Sequence, residues 1–445
     1  EWLAGPALLY IKKKNASVAT VFTTHATVLG RTLTGNGRQL FENLQQIDVD
    51  REVYNYNVQA KHQTEKASAI NATIFTTVSE ITSIEAEKLL GRKADVLLFN
   101  GLDLDKFPTF EETSIRHGKS KQLIKNFLEY YFFPYYEFDL DETLFYFITG
   151  RYEFHNKGID VLIESLGRLN ERLKKDEEKK TVVTFFWIPL DIKGIKTPLL
   201  ENKTYYGDIE TFVEGHMDTL QDNLIYTTVR KRLPTIEDLF NKNFLYELKK
   251  KIIGFGKKGE PPLVTHDLYD EGNDAIMSTF RRLGLLNRKE DRVKVIFYPA
   301  YLTGTEGLLD LTYLDAVVGC HLGIFPSYYE PWGYTPLETA ALGVPAVTTD
   351  LAGFGRFIQQ KNNSKGIYVI KRYKKTNEDV VDELSKLLYS YTKMSRENRI
   401  KMKMEAKKTA SVADWKNLIE HYIEAHNLAI ETVFSTHQPI MQKTN

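Results

Sequence analysis

The stretch GCHLGIFPSYYEPWGYTPLETAALGVPAVTTD, Gly319 to Asp350, decides how the chain is read. A short apolar run is followed by a loop dense in aromatics and glycine, a brief helical segment and a second apolar run. Apolar runs bounded by turn residues predict buried strands, and strand, helix, strand in that order predicts a parallel sheet. In such sheets ligands bind beyond the carboxyl ends of the strands. The loop after the first run carries Glu330, and Glu338 lies eight residues on, so both acids are expected at a ligand-binding edge. Thr335-Pro336-Leu337-Glu338 predicts the helix start: threonine as cap, proline in the first turn, glutamate completing a capping box, with Gly343 closing the helix. An isolated T-x-x-E is most often only a cap. Here the helix follows the aromatic loop directly, so its free amides and positive end are expected to point into the cleft, where they suit a diphosphate.

The same alternation extends in both directions. ASVATVFTTH, TIFTTVS and ADVLLFNGLD predict strands, with HQTEKASAINA and EITSIEAEKLLGR as helices between them, and the opening EWLAGPALLYIKKK predicts a helix with Leu3, Ala7, Leu8 and Ile11 on one face. LFYFITG at Leu144 starts a second series, with a helix striped by Leu162, Leu166, Leu169 and Leu173, and VKVIFYP continues it. Between about 190 and 290 the alternation lapses into charged helical segments, EDLFNKNFLYELKKKI and DAIMSTFRRLGLL, which predict an insertion. The predicted organisation is α/β: two Rossmann-like, doubly wound domains facing a cleft. Residues 1–140 are the remainder of the first domain and a linker, 141–400 the second domain with its insertion, and 401–445 C-terminal helices packing back toward the first. The tail ADWKNLIEHYIEAHNLAIETVF is predicted to be an amphipathic helix with Trp415, Ile419, Tyr422, Ile423 and Ala429 on or near one face. The first domain shows about three strands and no glycine-rich turn, against a mean sheet of about five to six, so its N-terminal part is expected to precede Glu1.

Bulk composition narrows the classes. With 445 residues the chain exceeds one ordinary core. Lysine plus arginine and aspartate plus glutamate number 59 each, which removes any global pull toward nucleic acid or anionic membrane. No apolar run approaches the roughly 20 residues of a membrane span. The single cysteine, Cys320, fits a reducing, cytoplasmic setting.

Chemistry-bearing residues sit where the strands end. Arg151 and Lys157, in GRYEFHNKG after LFYFIT, are two cations able to neutralise a leaving diphosphate; the alternative is an ordinary solvated loop. His25 and Arg31 hold the matching place in the first domain, although a lone histidine there is commonly a structural hydrogen-bonder. Tyr301 and Tyr313 offer faces for a nucleobase, although in a chain with 25 tyrosines and 25 phenylalanines core packing is the commoner role. No spacing of His, Cys, Asp and Glu indicates a metal site.

Seven ordered blocks, EWLAG, VFTTHATVLGR, FTTVSEIT, NGLDLDKF, GRYEFHNKG, GCHLGIFPS and SYYEPWGYTPLE, resemble the eukaryotic glycogen synthase family, retaining glycosyltransferases of GT-B fold, from Glu1 to about Asp414. The resemblance implies transfer of glucose from UDP-glucose to the non-reducing end of glycogen, an α-1,4-glucan, with retention and without metal or other cofactor. It places Glu330 at the reacting sugar, Arg151 and Lys157 on the diphosphate, and His25 and Arg31 on the donor from the opposite domain. Trp332, Gly333 and Thr335 then line the donor site, Glu338 holds the ribose and Tyr313 stacks on uracil. It further implies a homotetramer through the insertion and a glucose-6-phosphate effector site drawing on His117, Lys121, His321 and Arg399. Two departures bear on that effector: Glu111 stands where the family has a histidine, and Lys403 replaces an arginine. A phosphate is gripped best by bidentate arginine, so weak or absent activation is expected. The competing readings are a starch-synthase-like GT-B enzyme using ADP-glucose and a non-catalytic glucan-binding scaffold.

Overall fold

The computed structural model describes residues 1–361 and 364–434. Its strands, in chain order, are β1 (Val21–Thr24), β2 (Ile74–Thr77), β3 (Val96–Leu97), β4 (Thr143–Thr149), β5 (Thr181–Trp187), β6 (Ile192–Ile195), β7 (His266–Leu268), β8 (Val293–Tyr298), β9 (Leu322–Ile324), β10 (Ala346–Thr349) and β11 (Ile367–Ile370). They form a parallel sheet β1-β2-β3, a six-stranded parallel sheet β11-β10-β9-β4-β5-β8, and the antiparallel pair β6-β7. Numbered by their order along the chain, the six strands run 6-5-4-1-2-3, the doubly wound arrangement of a dinucleotide-binding sheet. Winding reverses between β4 and β9, which pair in parallel through Tyr146↔Leu322 and Phe147↔Gly323. The crevice beyond that reversal is where the fold leaves room for a ligand.

Burial explains why these residues make strands. Thr181 to Trp187 in β5 and Val293 to Tyr298 in β8 are buried throughout, as expected for strands covered by helices on both faces. The helix Ile159–Lys174 lays Leu162, Leu166, Leu169 and Leu173 against this sheet as the leucine spacing predicts. The helices Thr197–Glu214, Met217–Val229, Ile236–Leu239 and Lys242–Phe255 project between β6 and β7; Leu224, Ile225, Val229 and Ile253 on them, and Leu233 in a connection between two of them, are exposed. Among the described residues no helix is long and apolar enough to cross a membrane.

Four details differ from the sequence reading. Residues 110–132 form one long helix, Phe110–Phe132, whose Ile124, Phe127, Leu128 and Tyr131 enter the core of the six-stranded sheet, so this part of 1–140 packs with the second unit. The helix Ala275–Arg282 packs on Ile159–Lys174 and covers the large sheet, outside the projecting insertion. The tail helix Trp415–Phe434 contacts β1, β2 and β3 through Tyr422, Ala425 and Ala429, while Leu418 is buried in the cluster around Phe99, Trp332 and Phe357; Ile419 and Ile423 are 43% and 47% exposed. Tyr422 and Ala429 lie on the packing face as the spacing predicts, whereas Ile419 and Ile423 do not, because periodicity alone does not fix which apolar residues of this helix meet the sheet. In the opening helix Gly5–Lys13, Leu8 is buried whereas Leu3, in the preceding turn, is exposed. Residues 435–445 lie outside the described residues.

The first unit buries two acids. Glu65 Oε2 accepts from Val28 N at 2.8 Å and Oε1 from the Thr24 hydroxyl at 3.3 Å; Glu85 Oε1 accepts from Thr27 N at 3.0 Å. Burial raises the Glu65 carboxyl from 4.5 to about 8, against the opposing pull of the Val28 amide. An acid with a higher pKa folded than unfolded binds extra protons in the folded state between those two values, so its contribution is most favourable below about pH 4.5 and is lost as pH rises through about 8. Glu65→Gln keeps both hydrogen bonds, since its amide nitrogen can donate to the Thr24 hydroxyl. Urea unfolding is therefore expected to show the variant close to wild type at pH 5 and more stable by up to about 4 kcal/mol at pH 8; a gain that is the same at both pH values contradicts the burial account.

Candidate active site

Two loops meet at the crevice. One leaves β4 at Gly150, carries Arg151 and Lys157, and enters the helix Ile159–Lys174 at Gly158. Gly158 has φ 69°, and a Cβ there would lie 2.0 Å from the Pro326 carbonyl oxygen, so the close approach of the two loops requires glycine. The other leaves β9 at Phe325 and runs to Gly333. Its backbone is fixed from several sides: Tyr328 N and Tyr329 N donate to Asn156 O at 2.9 and 3.2 Å, the Thr349 hydroxyl donates to Ser327 O at 2.7 Å, and Arg372 Nη1 donates to Pro326 O. Gly353 N donates to Glu330 O at 3.0 Å and Phe354 N to Trp332 O at 2.7 Å.

This holds Glu330 where Lys157 Nζ donates to its Oε2, an ion pair with both side chains largely out of solvent. Arg151 lies alongside, 73% exposed, held by Glu153 Oε1 at 2.8 Å. His25 and Arg31 come from the opposite unit: the segment after β1 turns into the helix Val28–Gly35, capped by the Thr27 hydroxyl. Partial desolvation lowers the His25 imidazole below its usual range.

The cavity enclosed by these residues, about 170 Å³, is lined by His25, Arg31, Arg151, Lys157, Glu330, Trp332 and Gly333. An adjoining cavity of about 430 Å³ shares Arg151 and is lined by Tyr301, Tyr313, Thr335 and Glu338. Every donor-site residue named from sequence thus faces one of two connected hollows. Burial raises the Glu338 carboxyl, for which no hydrogen bond or ion pair is recorded among the described residues, so the acid is poised to accept from a ligand hydroxyl.

The predicted cap is corrected here. The helix is Tyr334–Ala341, its cap position is Gly333 at φ 109°, and no side chain caps it. Thr335 and Glu338 lie inside the helix, so no capping box forms; a left-handed glycine turns the chain sharply enough to start the helix two residues earlier. The consequence is that both polar side chains and the first amides are free to face the cleft. Asn100, Glu153, Tyr152 and Trp187 also line the hollows and were missed; Asn100 falls inside the run read as the third strand, whereas the strand itself ends at Leu97.

A second cavity of about 850 Å³ brings His117, Lys121, His321 and Arg399 together with Arg396, Lys180, Lys393 and Lys403. His117 Nδ1 lies 2.6 Å from Val318 O and must donate to it, leaving Nε2 to accept from Lys403 Nζ at 3.4 Å. Burial and then the charge of Lys403 hold His117 at about 4, and burial lowers Lys403 to about 7. Glu111 is exposed in the first turn of its helix and does not line this cavity. Among the described residues no group of three or more His, Cys, Asp or Glu could hold a metal ion.

Gly333→Ala places a Cβ 3.3 Å from the Glu330 Cγ on a backbone that L-residues rarely adopt. It is expected to lower stability by about 1–3 kcal/mol in urea unfolding; an unchanged midpoint contradicts the strained-cap description.

Comparison with known proteins adds identity to this geometry. The family model described as glycogen synthase matches residues 1–445. The chain is 39% identical over 439 residues to "Glycogen [starch] synthase" of Dictyostelium discoideum, covering 98% of this chain and 50% of that protein. It is 39% identical over 441 residues to the liver enzyme of Mus musculus, covering 98% and 62%. Among solved structures, an α,α-trehalose-phosphate synthase from Burkholderia vietnamiensis aligns with TM-score 0.49 and 9% identity over 95% of this chain and 71% of that one. The chain thus spans about half to three fifths of the length of these curated relatives. A match that runs from the first residue to the last makes this chain a member of the glycogen synthase family.

Proposed function

We propose that this site transfers glucose from UDP-glucose to the 4-hydroxyl at the non-reducing end of an α-1,4-glucan, with retention of anomeric configuration. The observation that carries the reading is the meeting, at the reversal of the six-stranded sheet, of Glu330, Lys157 and Arg151 with the glycine-headed helix and with His25 and Arg31 from the other unit. A departing nucleoside diphosphate spreads negative charge over its phosphates. Two side-chain cations and a helix N-terminus stabilise that charge where other transferases use Mg²⁺. The sugar carbon left behind is oxocarbenium-like and gains from the carboxylate of Glu330. The diphosphate would draw Lys157 away from Glu330, coupling donor binding to exposure of the acid. Tyr313 provides a face for the base and Glu338 an acceptor for ribose hydroxyls. Family membership and the shape of the donor cavities support this reading; the acceptor glucan, the cytoplasmic setting, independence from metal, and tetramer formation through the exposed apolar insertion belong to it as proposals.

In the full-length protein, Glu330→Gln is expected to abolish glucosyl transfer while leaving the UDP dissociation constant within about twofold of wild type. Transfer at the wild-type rate contradicts the assigned role. Arg151→Ala, at an exposed side chain, is expected to leave the melting temperature unchanged and to weaken UDP about tenfold. Competition between UDP-glucose and ADP-glucose tests the donor; preference for ADP-glucose moves the reading to a starch-synthase-like enzyme.

The second cavity is proposed as the glucose-6-phosphate site, with Arg396 and Arg399 as the remaining arginine forks. With a lysine at 403 in place of an arginine fork, activation is expected to stay within about twofold and to increase in Lys403→Arg. Strong activation of the wild type contradicts the attribution to this residue.

A further inference from the structure

The loop that carries Glu330 is gripped by the opposite unit as well as by its own. Tyr328 donates its hydroxyl to Glu42 and receives Phe41 N at 3.3 Å. Ser79 Oγ donates to Pro331 O at 2.6 Å. Between these, the Tyr329 hydroxyl donates to Glu85 Oε1 at 3.0 Å, and the same oxygen accepts from Thr27 N, also at 3.0 Å. Thr27 caps the helix that follows His25 and contains Arg31, and Tyr329 precedes Glu330. One carboxylate oxygen therefore ties together the backbone segments that deliver the two halves of the site.

This acid is an expensive choice for a purely structural role. Glu85 is 1% exposed, its Oε2 is buried without a hydrogen-bond partner among the described residues, and Glu65 is a second buried acid nearby. Burial raises its carboxyl to about 7, opposed by the Thr27 and Tyr329 hydrogen bonds and by the charge of Arg31. A buried acid with an idle oxygen is destabilising, and a sequence keeps such a group where geometry matters more than stability.

We propose that Glu85 is a positioning residue for the transfer reaction: by accepting from Thr27 N and the Tyr329 hydroxyl on one oxygen, it sets Glu330 in register with His25 and Arg31. The proposal rests on Glu330 acting at the reacting sugar. Because Tyr329 belongs to one unit and Glu85 to the other, the contact exists only while the two units are apposed, so the acid is held in place in the closed arrangement.

The test is a double-mutant cycle in the full-length protein with Tyr329→Phe, which deletes only the hydroxyl, Glu85→Gln, which retains an acceptor, and the pair. Tyr329→Phe is expected to lower kcat about tenfold with the UDP dissociation constant unchanged, Glu85→Gln to lower kcat about threefold, and the double variant to match Tyr329→Phe alone. Wild-type kcat in Tyr329→Phe overturns the proposal, as does an equal fall in UDP affinity or a double variant showing the product of the two losses. Glu330→Gln serves as the reference. If it is inactive while Tyr329→Phe is normal, only the positioning role fails; if it remains fully active, the reading of Glu330 fails first.

Discussion

The placement of one carboxylate depends on a loop with almost no freedom. Pro326 to Gly333 leaves the central strand β9 and is fixed by backbone hydrogen bonds to Asn156 and Gly353, by the buried Arg372, and by three side chains of the opposite unit, Glu42, Ser79 and Glu85. Glu330 projects from this frame onto Lys157. An ion pair so placed is not a source of net stability, because removing two charges from water offsets most of their attraction. Its value is positional: the acid and the cation are pre-aligned, and a bound diphosphate can exchange one partner for another without moving the backbone.

The sheet supplies the rest of the geometry. The reversal of winding between β4 and β9 opens a crevice at the carboxyl ends of those two strands, and the loops that follow them are the ones bearing Arg151, Lys157 and Glu330. The neighbouring hollow, bounded by Tyr313 and Glu338, extends the same crevice, and it is where the proposed donor's nucleoside is placed. The opposite wall comes from the three-stranded sheet, through the segment after β1.

Much of this was legible in the sequence because it rests on local pattern. Alternating apolar and helical runs marked β1, β2, β4, β8, β9 and β10, and the position of Arg151, Lys157, Glu330 and His25 just after strands marked them as cleft residues. What escaped depends on tertiary context. Thr335 and Glu338 fit a capping box by spacing, and only the left-handed Gly333 shows that the helix begins before them. In the tail helix, contact with β1–β3 selects the face containing Tyr422, Ala425 and Ala429 and leaves Ile419 and Ile423 exposed. Glu85 carries no sequence signal at all: within EITSIEAEKLL it reads as a solvated helix acid, and its burial follows from Thr27 and Tyr329, which lie 58 and 244 residues away.

The central claim is that acid, cations and helix amides converge on a nucleotide sugar held between the two units. The most direct measurement is calorimetric titration of UDP into Glu330→Gln of the full-length protein, paired with a glucosyl-transfer assay on the same sample. Retained nucleotide binding with no transfer is the result the account predicts. Transfer at the wild-type rate, or loss of UDP binding on removal of this one charge, contradicts it.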